Sequence, residues 1–235
     1  MSTSSALDSF LDKWRTRWPE WQVAEPFVPE SQRHLTVAWF ALLQEFDDIL
    51  NVAGDPLPAD AKLAWWGEEL RSWAGRRSRH PLGRVLEPVR APWAELAATL
   101  PDLVEARTVA VDPAGARQAL SAYAQAVAAV EAAMFDWHGR GDAASAVLVQ
   151  TLAQRLEDSG IAAIPRSLAA TDPAVAAQDW RRELLANWPA RVAGPRPRRI
   201  WSALARTRQR ALAQGRSLKP TPLRTLWQVW WAGRG

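Results

Sequence analysis

The sequence predicts an all-α protein. Three observations carry this. Alanine and leucine dominate segments whose apolar residues recur at helical spacing, runs of β-branched residues are missing, and prolines fall between the periodic stretches. No segment shows strand alternation with hairpin signals, and there is no repeat at a fixed period and no long linker.

The elements follow in order. Leu7, Phe10, Leu11, Trp14, Trp18 and Trp21 keep helical spacing, and Pro19 bends or ends that first helix. A second helix runs from about Ser31 to Val52 and stops at AGDPLP. A third opens after Pro58 and ends near Gly75, and HPLGRVL starts a fourth. Pro92 and Pro101 bracket a short one. PAGARQALSAYAQAVAAVEAAMFDW is the longest uninterrupted run; Asp112 can cap it and Pro113 suits its first turn. ASAVLVQTLAQRLEDSG is closed by Gly160, and a helix around 173–187 follows. GPRPRR is a break before the basic helix IWSALARTRQRALAQG, and PLRTLWQVWWAGRG is short and amphipathic. Residues 1–235 thus read as one domain of roughly nine to eleven helices, with 181–235 as its basic C-terminal part.

The totals bound the function. A chain of 235 residues, 48% hydrophobic, can bury one sizeable core or two small ones. Without cysteine, disulfides, thiolate metal sites and cysteine nucleophiles are excluded. The N-terminus lacks a secretory pattern, and no stretch approaches about 18 apolar residues. We expect a cytoplasmic protein, with a peripheral place on the inner face of a membrane left open. Residues 181–235 hold 13 Lys+Arg and one acid, Glu183, whereas residues 1–180 carry a net charge of −8. A basic end on an acidic body suggests an anionic partner.

Four stretches carry a family likeness when taken together. FVPESQRHLTVAWFALLQEFDDILN places an arginine four residues after a proline and ends in an acidic cluster. KLAWWGEELRSWAGRRSRHPLGRVL joins a Trp–acid–Leu helix to a His-Pro start. YAQAVAAVEA is a small-residue helix headed by Tyr123, and QRLEDSGIAAIP runs from an acidic helix end into a Gly…Pro loop. In order and spacing they resemble the squalene/phytoene synthase family over most of residues 10–170. The resemblance implies an isoprenoid synthase-like helical bundle around a central cavity. Two DxxxD helices would face each other there, holding Mg2+ on the diphosphate of an isoprenyl substrate. Carboxylates at i and i+4 share a helix face, and magnesium takes hard oxygen ligands.

This sequence departs from that pattern. The first pair falls on Asp47 and Asn51, the second on Gln154 and Asp158, so four expected carboxylates become two. In the following loop, the positions of the family's arginine and tyrosine are Ile161 and Ala163. Losing even one preorganised electrostatic group can cost about 10²–10³ in rate. The metal candidates are therefore Asp47 and Asp158, and the vestigial diphosphate candidates are Arg33, Asp47, Asn51, Gln154 and Asp158. Arg33 either approaches the diphosphate or pairs with Glu30 or a nearby acid. Glu45 and Asp48 form a substitute pair only if the helix rotates. Trp39, Trp65 and Trp66 either fill the cavity or line it for an isoprenoid tail.

At the basic end, Arg198, Arg199, Trp227, Trp230 and Trp231 are candidate membrane or anion contacts, with Arg224 and Arg234 flanking the tryptophans. The alternatives are a solvated basic helix and a docked terminal helix. Nucleic acid is the weaker reading, since no recognised binding module is present. Three functions stay open: a catalytically degenerate family member binding an isoprenoid, a lipid or a partner protein; an active magnesium-dependent prenyltransferase on farnesyl or geranylgeranyl diphosphate; and a basic membrane-surface adaptor. Only the second requires a cofactor, Mg2+.

Overall fold

Helix boundaries follow the punctuation of the sequence. The computed structural model describes residues 3–170, 172–216 and 222–234. Among them are thirteen α-helical segments, ten of seven residues or more, and three 3₁₀ turns, with no strand. α1 (Thr3–Arg17) ends before Pro19, and α2 (Trp21–Ala24) is one turn. α3 (Glu30–Leu50) is the longest helix, and α4 (Leu57–Trp73) carries Pro58 in its first turn, where no N–H is missed. The HPLGRVL start yields only the single turn of α5 (Gly83–Leu86). Pro92 precedes α6 (Trp93–Thr99), and Pro101 opens the short α7 (Pro101–Glu105).

The longest periodic run is broken. It divides at Leu120 into α8 (Pro113–Ala119) and α9 (Ser121–Met134), because Leu120 leaves helical geometry at φ −110° and ψ 5° and buries its side chain. Asp112 caps α8 as expected, accepting from the Gly115 N–H at 2.7 Å. α10 (Ala143–Ser159) is capped by Asp142 and closed by Gly160, whose φ of +54° with ψ −123° is a conformation glycine enters without Cβ strain. α11 (Pro173–Ala186) is capped by Asp172. α12 (Arg196–Ala213) begins inside the expected GPRPRR break, since Pro197 is tolerated in the first turn. α13 (Pro222–Arg234) ends the described chain.

One apolar cluster runs from Leu11 on α1 to Val229 on α13. α1 packs on α3, α9 on α10, and α12 touches α10, α11 and α13. The centre is aromatic. Trp14 of α1, Trp18 just after it, Trp21 of α2, Phe40 of α3 and Trp201 of α12 interlock, with Phe40 and Trp201 centroids 4.1 Å apart. These rings, rather than Trp39, Trp65 and Trp66 alone, fill the middle of the bundle. Trp39 and Trp66 are buried, but Trp65 is at the surface beneath Arg79. Each large ring buried contributes about 2–3 kcal/mol. Against that, the indole N–H groups of Trp14, Trp18, Trp21, Trp66, Trp180 and Trp201 find no acceptor.

Candidate functional site

The four motif positions do come together, because α3 and α10 lie side by side. Asp47 and Asn51 project from the end of α3, and Gln154 and Asp158 from the end of α10. Their contacts are with one another and with nearby residues. Gln154 donates its amide N–H to both Asp158 oxygens at 3.1 Å. Asn51 donates to Asp158 at 3.5 Å, and its own oxygen accepts from Ser159 at 3.0 Å and from Arg155 at 3.4 Å. A second cation completes the set: the Arg17 guanidinium, from the end of α1, reaches both oxygens of Asp158.

Asp47 is the exception. Among the described residues its carboxyl group makes no hydrogen bond and no ion pair. Its side chain borders a recess of about 10 Å³ lined by Tyr123, Gln150, Gln154, Arg198 and Trp201. That is room for one water at most. Burial first, then the Asp158 carboxylate, push the Asp47 carboxyl up to about 8, against the pull of Arg17. At neutral pH this group holds a proton.

Of the other acids nearby, Glu45 and Asp48 are held by lysines. Buried Glu45 accepts from Lys13 at 2.9 Å and from Lys62, and Lys13 also holds Asp48 at 2.6 Å. The substitute pair Glu45 and Asp48 is thus already engaged. Glu157 is turned to Gln209. Arg33 neither points into the motif site nor pairs with Glu30: it donates to the Val28 and Pro26 carbonyls, at 3.1 and 3.3 Å, and so ties down the turn before α3.

Deeper in the bundle lies an ion pair that the motif comparison did not include. Glu131 of α9 is 1% exposed and accepts from Arg198 of α12 and from the Trp39 indole at 2.8 Å. Arg198 is 2% exposed, also donates to Gln150 at 3.2 Å, and stacks on Trp201 with 4.8 Å from its central carbon to the ring centroid. This corrects the expectation for Arg198. It is a core residue, out of reach of a membrane or an outside anion. A sequence signal for the pair existed: Glu131 is the lone charge in AVAAVEAAM, and a buried acid needs a buried cation. Arg17 left no such signal, because arginine in the last turn of a helix is ordinary.

Arg208 is likewise turned inward, holding Glu20 and lying 3.8 Å over Trp18. Arg199, Trp227, Trp230 and Trp231 do lie at the surface, on α12 and α13. Arg234 covers Trp230 at 3.7 Å, while the side chain of Arg224 lies outside the described ones. Among the described residues, no helix is long and apolar enough to cross a membrane.

The bundle, with two motif helices ending side by side in acid and amide groups, has the plan of an all-α isoprenoid synthase. The squalene/phytoene synthase family model matches residues 20–162, more than half of the chain. The chain belongs to the squalene/phytoene synthase family. No curated protein matches it.

Proposed function

We propose that the chain is a non-catalytic member of its family, acting by binding a partner at its surface rather than by coupling isoprenyl diphosphates inside the bundle. The observation that carries this reading is Arg17. Its guanidinium holds Asp158, one of the two carboxylates left from the motif pairs. Magnesium is a hard cation that takes several oxygen ligands in octahedral geometry. Here one carboxylate is engaged by arginine, and the other, Asp47, borders a recess with room for one water at most. The two amides turn N–H groups toward Asp158. That donor set does not fit the metal.

Space argues the same way. A bound small molecule needs roughly 300 Å³ or more. The recess at Asp47 offers about 10 Å³, closed by Trp201 and the Arg198–Glu131 pair. An isoprenoid tail would have to displace the aromatic core, so a lipid or protein partner is sought on the outside.

The test is diphosphate release from farnesyl and geranylgeranyl diphosphate with magnesium. Wild type should release none. Asn51→Asp with Gln154→Asp should also release none, since Arg17 and the filled centre remain. Release by wild type that disappears in Asp47→Ala would overturn the reading in favour of an active synthase.

A further inference from the structure

The outer face of α12 and α13 differs from the rest of the molecule. Between the two helices runs an open groove of about 570 Å³. Its lining includes Arg191, Arg199, Arg206, Arg210 and Arg234, and no acid. Among the described residues none of the five forms an ion pair. On the same α12, Arg198 and Arg208 each hold a carboxylate, so the open arginines are a separate set.

Two of the five are also under-satisfied. The Nε groups of Arg199 and Arg206 are buried without an acceptor. Their remaining contacts are backbone carbonyls, Gly233 at 3.3 Å and Pro189 at 3.2 Å. Burial, and then the like charges of Arg196 and Arg210, work against the charged forms of Arg199 and Arg206. An incoming anion in the groove would offset these like charges.

Beside the groove stands an apolar ridge. Leu226, Trp227, Trp230 and Trp231 occupy one side of α13, at helical spacing. They make up four of the nine large apolar side chains exposed among the described residues, with Trp227 66% and Trp231 56% accessible. Leu226, Trp227 and Trp230 meet Phe27 around an adjoining hollow of about 340 Å³. With 13 residues, α13 is about 20 Å long, suited to lying along an interface.

We propose that this face binds anionic phospholipid bilayers, with the tryptophan ridge at the boundary of headgroups and acyl chains and a lipid phosphate in the arginine groove. A soluble acidic partner would answer the arginines alone and leave the Phe27 hollow and the ridge wet. A bilayer covers both at once, because it offers negative charge and apolar depth side by side. The inference goes beyond the non-catalytic reading and stands even if the central site turns over substrate.

The experiment is sedimentation of the full chain with vesicles of phosphatidylcholine alone, or with about 30 mol% phosphatidylglycerol. Wild type should pellet only with the anionic vesicles. Raising salt from about 0.05 M to about 0.5 M should weaken binding. Arg191→Gln with Arg210→Gln, two exposed positions, should lower the partition about thirtyfold, roughly fivefold for each charge. Trp227→Ser with Trp231→Ser should abolish insertion while circular dichroism stays helical. Should either variant lose its helicity, acyl-brominated vesicles with wild type decide: excess fluorescence quenching supports the proposal, and none refutes it. Equal pelleting with both vesicle types overturns it. So does wild type left in solution by anionic vesicles while it binds polyglutamate or inorganic phosphate, which would assign the groove to a soluble anion.

Discussion

The motif site and the α12–α13 groove treat charge in opposite ways. At the motif site the acids are partnered within the chain: Asp158 by Arg17, Glu45 by Lys13 and Lys62, Asp48 by Lys13 and Glu157 by the Gln209 amide, while burial and Asp158 disfavour the charged form of Asp47. Five arginines share the groove with no acid, and two carry buried Nε groups without acceptors. The first region leaves a ligand only the Asp47 carboxyl and its recess, and its free space is about 10 Å³ against about 570 Å³ in the groove. The lesson is that family motifs mark where a site is expected, while uncompensated charge beside open space marks where binding is still favourable.

The comparison fails first if its most buried charge is dispensable. Glu131→Ala should cost about 3–5 kcal/mol in urea denaturation, because it strands the Arg198 guanidinium in the core. Replacing both partners, with Glu131→Leu and Arg198→Met, should recover most of that loss.

Asp47→Asn should act in the opposite direction. The folded chain keeps the Asp47 proton up to about pH 8, whereas the unfolded chain gives it up near 3.8. Between those values the folded state binds the extra proton, so wild-type stability falls as pH rises. Asparagine needs no proton. Its advantage should be absent below about pH 4, grow through the window and level off above pH 8 at up to about 5 kcal/mol. If added magnesium reversed the gain, the carboxylate would be holding metal.

Arg17→Ala should cost only about 1 kcal/mol, since its pair with Asp158 is partly exposed to solvent. Smallest of all is Arg191→Gln with Arg210→Gln, where stability should stay within about 0.5 kcal/mol of wild type. A larger loss would mean that the groove arginines hold the fold together, and would remove the contrast between the two regions.

Much of the fold was legible because helices announce their ends. Pro19, Asp112, Gly160 and the start of α11 fell where local chemistry places them. The break at Leu120 was not legible: its neighbours are good helix formers, and only tertiary burial turns the chain there. The site divides similarly. Asp47, Asn51, Gln154 and Asp158 were found by spacing on their helices and do gather. Arg17 lies 141 residues from Asp158, and nothing local links them. The basic run of α12 looked uniform in sequence. Which arginines turn inward depends on Glu131 and Glu20, acids far away in the sequence, so Arg198 was misplaced and Arg206 and Arg210, read in the same basic stretch, could not be told apart from it.

The most direct measurement is the urea midpoint of wild type at pH 8, with and without about 10 mM magnesium and pyrophosphate, because a ligand that binds only the folded state must raise stability. With its motif charges already satisfied internally, the protein should unfold at the same midpoint in both. A rise worth about 1 kcal/mol or more, lost in Asp47→Asn, would contradict the account and return the site between α3 and α10 to diphosphate chemistry.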